Sequence, residues 1–209
     1  MLVLKCILLL LLPVALLGPG VSSEKGKSPA KPARWLVQRS SNLRIQGSTN
    51  INKFCCHVNQ YDRPDTLTLC RADEKACPAI MPLKGELCID IEDFDCSSRP
   101  MTREFKKILQ ASRYPRLRIV FLDIEKMPAF GQATECLKGN VAVELAGVYK
   151  KFSIDYTVSG RGEGAFDLVG ERTFSFSDFC LVPPVKMGGL VRVNDQLHVV
   201  FKLDCRNLE

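Results

Sequence analysis

The stretch Asn140-Val141-Ala142-Val143-Glu144-Leu145-Ala146-Gly147-Val148-Tyr149-Lys150-Lys151-Phe152-Ser153-Ile154-Asp155-Tyr156-Thr157-Val158 decides the fold class. Val141, Val143 and Leu145 alternate with Asn140, Ala142 and Glu144. Further on, Phe152, Ile154, Tyr156 and Val158 alternate with Ser153, Asp155 and Thr157. Successive side chains of a strand point to opposite faces, so a period of two gives each strand one apolar row to bury. Ala146-Gly147 joins the two runs and reads as the turn of a β-hairpin.

The same period recurs outward in both directions. Leu43 and Ile45 flank Arg44, and Leu87, Ile89 and Ile91 enclose Cys88 and Asp90. Leu117, Ile119 and Phe121 form another row, and Leu197, Val199, Phe201 and Leu203 form the last. Ser159-Gly160-Arg161-Gly162 reads as a further turn. Six or more such strands in about 165 residues predict an all-β domain, a sandwich or a barrel, between which alternation does not choose. One segment departs from the pattern. Met101, Phe105, Ile108 and Leu109 fall on one face at helical spacing, with Pro100 suited to the first turn and Tyr114-Pro115 as a stop. This predicts one amphipathic helix inserted between strands. Residues 59–84, with Pro64, Pro78, Pro82, Cys70 and Cys77, read as a long loop pinned by a disulfide.

The N-terminus reads as an address. After Lys5, an apolar run from Cys6 to Leu17 is followed by Gly18-Pro19-Gly20 and the small residues Val21-Ser22-Ser23. A run of about 12 apolar residues is too short for a hydrocarbon core that needs about 20 helical residues. A cleavable export signal over 1–23 fits better, with a membrane anchor as the competing reading that this length disfavours. Cys6 opens the apolar run rather than following it, which argues against a lipid-modified N-terminal cysteine. Removing 1–23 from the 209 residues leaves 186, enough for one domain, and lowers the net charge from +6 to +5. Much of the remaining excess sits in Lys25, Lys27, Lys31 and Arg34 of a Pro/Ser/Lys stretch, 24–34, read as a flexible linker before a domain over 35–205. That linker is the segment that would touch an anionic membrane in passing. Without it the domain is nearly neutral, which argues against a nucleic-acid partner.

Nine cysteines follow residue 23: Cys55, Cys56, Cys70, Cys77, Cys88, Cys96, Cys136, Cys180 and Cys205. In an exported chain they read as disulfides. Zinc would need closely paired ligands, and neither His57 nor His198 stands in such a pattern. No metal or other cofactor is expected, and the odd count leaves a free thiol or a link to another chain. Neighbours on a strand face opposite ways, so Cys55 and Cys56 should have different partners. No phosphate loop, serine elbow or paired-histidine motif occurs. Asp93 and Asp95 read as parts of a solvated turn. The adjacency of His57 to Cys55-Cys56 gives no catalytic geometry. The chain is read as a binding protein rather than an enzyme.

Three segments, in order, resemble the YceI-like family, in a branch carrying these motifs. They are Asn42 to Phe54 (Asn-Leu-Arg-Ile-Gln-Gly-Ser-Thr-Asn-Ile-Asn-Lys-Phe) with Cys56 two residues on, then Phe94-Asp95-Cys96 with the helix and Tyr114-Pro115. The third is Phe174-Ser175-Phe176-Ser177-Asp178-Phe179, followed by Pro183-Pro184, Gly189-Leu190-Val191 and Val193. The resemblance spans about 35–204. It implies an eight-stranded antiparallel barrel resembling a lipocalin with a helix beside it, and a periplasmic or secreted protein. It also implies a polyisoprenoid or similar amphiphilic lipid held or carried inside, and a disulfide between Cys56 and Cys96. The candidate lining residues, taken from the inner rows, are Ile89, Ile119, Phe121, Val143, Ile154, Tyr156, Phe174, Phe176 and Phe201. Two alternatives stand beside this one. The first is a disulfide-stabilised surface or interaction module whose barrel is filled by its own side chains. The second is an enzyme acting through a free thiol.

Overall fold

The computed structural model describes residues 31–70 and 80–208. The expected export signal, most of the expected linker, and Cys77 as a partner for Cys70 lie outside the described residues. The strands are β1 (Ala33–Val37), β2 (Asn42–Ser48), β3 (Lys53–Val58), β4 (Thr66–Leu69) and β5 (Met81–Asp90). After helix α1 (Arg99–Ile108) come β6 (Arg116–Ile124), β7 (Glu135–Leu145), β8 (Val148–Gly162) and β9 (Ala165–Ser175). The short β10 (Val185–Lys186) and β11 (Val191–Arg192) precede β12 (Gln196–Leu208).

The hairpin quoted first is β7–β8. Leu145 pairs with Val148 across Ala146 and Gly147, whose φ angles are 51° and 79°. Both lie in the left-handed region, the geometry whose twist matches that of paired strands. From there the sheet runs β9, β12, β1, β4, β5, β6 and back to β7, every pair antiparallel, closing an eight-stranded barrel. Closure removes the open edges of a sandwich and settles the choice left by alternation. Strand β12 makes it possible by carrying two partners on one side. Residues 198–202 pair with β2 and residues 205–208 with β1, while β3 hangs from the outer edge of β2.

Three expectations are corrected. Residues 59–84 are not one long loop: Thr66–Leu69 forms β4, a barrel strand, and β5 starts at Met81. Its buried Leu67 and Leu69 supply the same alternation over too few residues to stand out among the prolines. Ser159–Gly162 is not a turn but the end of β8, and the chain reverses at Glu163-Gly164 instead. Gly160 serves a close approach. Its N–H donates to the Gly131 carbonyl at 2.8 Å, and a Cβ there would run into the Phe130 carbonyl. The barrel also begins at Ala33 rather than Trp35 and continues to Leu208 rather than Cys205.

The apolar rows read from the sequence face inward: Leu43, Ile45, Leu87, Ile89, Leu117, Ile119, Phe121, Val141, Val143, Phe152, Ile154, Tyr156, Val158, Leu197, Phe201 and Leu203 are all buried. One end of the barrel is stopped by Trp35, whose ring meets Phe166 at 5.2 Å and Phe130 at 5.8 Å, both edge-on. The other end is covered by α1. Its start is fixed by Ser98, whose hydroxyl accepts from the Met101 N–H at 3.4 Å, and by Pro100 in the first turn. Phe105 and Leu109 turn inward, with Phe105 against Phe94 at 5.4 Å, while Met101 stays exposed.

A disulfide joins Cys56 of β3 to Cys96, just before the helix. Beside it His57 and Asp95 exchange backbone hydrogen bonds of 2.8 and 2.9 Å, so the approach to α1 is stitched to β3 twice. Cys56 is buried and Cys55 half-buried on the opposite face, as the strand geometry requires.

Candidate functional site

Between α1 and the middle of the barrel lies a narrow cavity of about 70 Å³. Its wall draws on β2, β6, β7, β8, β9 and β12, and its roof on Phe94, Phe105 and Leu109 and on Phe176, Phe179 and Leu181. Ser175 is the one polar residue lining it. A wall of this composition offers apolar contact and almost no hydrogen bonding, so it suits hydrocarbon and disfavours anything charged.

Six of the nine residues chosen from the sequence line this cavity: Ile119, Val143, Ile154, Phe174, Phe176 and Phe201. Phe176 does so from a 3₁₀ turn, Phe176–Phe179, rather than from a strand row. The turn is fixed by a reciprocal cap in which Asp178 accepts from the Ser175 N–H at 2.9 Å. Phe121, Tyr156 and Ile89 point inward but do not line it. Phe121 and Tyr156 lie 6.1 and 6.0 Å from Phe201, whose ring is the cavity's floor, with the other two packed against it. Gly170 makes room for Phe201. It pairs with Tyr156 on one side and Phe201 on the other, and a Cβ at Gly170 would strike the Phe201 ring. Ile89 borders a separate space of about 10 Å³ with Leu43, Val58 and Tyr61. Beyond the floor, Trp35, Phe130 and Phe166 pack against one another at the barrel's end.

Other lining residues were visible in the strand rows but not chosen: Leu43, Ile45, Leu117, Val141, Leu145, Leu197 and Val199. Phe105 and Leu109 were visible only as an apolar helix face. Phe94, Phe179 and Leu181 come from turns that no periodicity singles out.

Outside the roof runs a second, larger groove of about 370 Å³. Pro100, Met101, Glu104 and Ile108 of the α1 segment form one bank, with Pro184, Lys186, Val191 and Val193 opposite, and Phe54 below. Phe105 and Phe176 belong to both the groove and the cavity, so these two rings are the partition between them. Lys186 reaches across to Glu104 at 2.6 Å, and its hydrogen bond holds the Glu104 carboxyl below the usual carboxylate range.

Beside the Phe174 and Phe179 side of the cavity, charged groups sit on aromatic faces. The Arg172 guanidinium lies 5.2 Å from the Phe152 ring centre and 5.8 Å from that of Phe174. It donates to the Ser153 carbonyl at 2.6 Å, beyond the last β8–β9 pair on that side, Asp155 with Glu171. Its Nε–H is buried with no partner among the described residues. Lys150 approaches Phe152 at 5.6 Å and pairs with Asp178 at 2.6 Å. Deeper in, the Tyr156 hydroxyl is also buried and unpaired, and burial, then the charge of Asp123, pushes its ionisation well above the usual range. Among the described residues no three His, Cys, Asp or Glu side chains converge as metal ligands would.

No protein-family model matches the chain, and no curated protein matches it in sequence. Solved structures do match in shape. A polyisoprenoid-binding domain from Saccharophagus degradans aligns with a TM-score of 0.57 at 10% identity, over 84% of this chain and 99% of that one. BcnA of Burkholderia cenocepacia aligns with a TM-score of 0.59 at 15% identity, over 80% and 98%. A mutant YceI protein of Campylobacter jejuni aligns with a TM-score of 0.50 at 17% identity, over 68% and 81%. With its closed eight-stranded barrel and, among the described residues, one α-helix, this chain has the fold of the YceI barrels.

Proposed function

We propose that this protein is an exported carrier that holds the tail of a polyisoprenoid or similar amphiphilic lipid inside its barrel. The observation that supports this most is the cavity wall, apolar throughout except for Ser175. Each methylene moved from water to such a wall gains about 0.8 kcal/mol, so a tail is held without charged contacts. The fold, shared with a domain described as polyisoprenoid-binding, supports the same reading.

The path follows from the partition. A cavity of about 70 Å³ lies well under the roughly 300–1,000 Å³ of ordinary ligand sites, whereas the outer groove offers about 370 Å³. Swinging Phe105 and Phe176 aside joins the two spaces. A tail then enters from the groove past α1, and its polar head stays outside, where Lys186 lines the groove. The test is calorimetric titration with a short-chain polyprenyl phosphate below its micellar concentration. Val143→Phe, which fills the cavity from β7, should weaken binding at least tenfold, and Val200→Ala on the outer face should not. Equal affinity for both variants would overturn the reading.

The filled floor favours a second reading, a solid barrel that acts as a disulfide-stabilised interaction module. It predicts no saturable binding of the polyprenyl phosphate to the unaltered protein.

A further inference from the structure

The rim of the outer groove carries apolar side chains that no other described residue covers. Met187 and Leu190, at the tip of the β10–β11 hairpin, are 73% and 72% exposed, and Ile51, in the β2–β3 turn, is 63% exposed. Val185 and Met101 add to them. Five such side chains on one rim are more than the scattered single apolar residues of an ordinary surface.

These residues belong to one fixed surface. Asn50 ties the β2–β3 turn to the hairpin: its side-chain amide donates to the Leu190 carbonyl at 2.9 Å, and its side-chain oxygen accepts from the Arg192 N–H at 2.9 Å. Lys186 ties the hairpin to α1 through Glu104. Met101 borders both the groove and the hollow beside Lys53 and Phe54.

The charge of the same three segments is one-sided. The start of β3, beside the β2–β3 turn, contributes Lys53, the hairpin Lys186 and Arg192, and α1 Arg99, Arg103, Lys106 and Lys107, against the single carboxylate Glu104. Lys106 is engaged elsewhere, with Glu92 at 3.0 Å. Exposed apolar tips ringed by cations are complementary to the interface of an anionic bilayer, where the tips enter the acyl boundary and the cations meet headgroup phosphates. A cytosol-like or acidic protein partner would match the cations but leave the apolar tips unexplained.

We propose that this face, the β10–β11 tip with Ile51 and the start of α1, docks the protein on anionic lipid bilayers. Docking sets the outer groove against the membrane, so that a lipid would pass between bilayer and barrel without crossing water. The surface stands on its own residues, so docking can succeed or fail independently of whether the cavity holds a lipid.

Flotation of the full protein with vesicles tests it. Vesicles of phosphatidylcholine with about one-third phosphatidylglycerol should carry the protein, and pure phosphatidylcholine vesicles should carry at least tenfold less. Raising the salt from about 0.05 to 0.5 M should release most of it. Met187→Ser with Leu190→Ser, both exposed and therefore tolerated by the fold, should lower binding about tenfold while leaving titration with soluble polyprenyl phosphate unchanged. Lys53→Glu with Arg192→Glu should do the same. Equal binding to both vesicles, or undiminished binding of both variants, would overturn the proposal. So would absence from all vesicles, whether the protein stays monomeric or forms a dimer that the Ser variant abolishes. Failure of the polyprenyl titration with flotation intact would count against the carrier and not against docking.

Discussion

Replacing both Cys56 and Cys96 by Ala removes the one disulfide of the described residues, and its cost follows from the length of chain it encloses. The bond spans 40 residues, from β3 across β4 and β5 to the foot of α1. Closing a loop of that length removes about 13 cal/mol/K of entropy from the unfolded chain, or about 4 kcal/mol at 25 °C. The native state should lose little else, because the backbone bonds between His57 and Asp95 hold the same two segments together. Equilibrium urea denaturation at neutral pH, followed by far-ultraviolet circular dichroism, reads the difference. With a slope near 2 kcal/mol/M, the midpoint should fall by about 2 M with the slope little changed. A loss below about 1 kcal/mol would refute the reasoning, because the unfolded chain would then gain no freedom from the missing bond. A changed slope would instead show that β3 and α1 come apart before the barrel does.

Three further outcomes follow from particular contacts. Gly170→Ala should destabilise the barrel by about 1–3 kcal/mol, since its Cβ enters the buried Phe201 ring, and a denaturation midpoint equal to the parent's would contradict the floor described above. Stability should fall as the solution turns alkaline. Burial, with Asp204 and Asp167 adding to it, raises the Cys205 thiol, and burial raises Tyr156; the folded state therefore keeps protons that the unfolded state releases, from about pH 9 for the thiol and about pH 10 for the phenol. Each group then costs roughly 1.4 kcal/mol per pH unit above its unfolded value, so a midpoint that stays level from pH 8 to 11 would rule this out. Thiol labelling of the native protein should mark the exposed Cys136 and Cys180 well before the buried Cys205, which should react only as fast as the barrel opens; simultaneous labelling would place Cys205 elsewhere.

The barrel was legible because its strands solve one problem each: half of every strand faces a core, and a period of two records it. The β7–β8 hairpin, the inner rows and the helix face could all be read in this way. What escaped has physical causes. Thr66–Leu69 is too short for its alternation to outweigh the prolines around it, yet its partners β1 and β5 hold it in the barrel. Gly160 looked like a turn residue because sequence shows the missing Cβ and not the Phe130 carbonyl that needs the space. The cavity was only half legible, because periodicity says which side chains point inward but not which meet others there. Phe121 and Tyr156 satisfy the pattern as well as Ile119 and Ile154 do. They differ because Gly170, on the strand between β8 and β12, makes room for the Phe201 ring, which lines the cavity with Phe121 and Tyr156 packed against it, and that is a property of register across three strands. The partition by Phe105 and Phe176 depends on a helix and a 3₁₀ turn meeting over the barrel, which no single segment records.

The central claim, an amphiphilic lipid tail held in the barrel, is tested most directly by mass spectrometry of the protein purified without detergent from its expressing cells. Intact-complex spectra and the organic extract are compared for the parent and Val143→Phe. The account predicts about one isoprenoid-like or similar single-tailed lipid per parent molecule, sharply reduced in the variant. Parent protein that is free of lipid and takes up no polyprenyl phosphate when offered it would contradict the account.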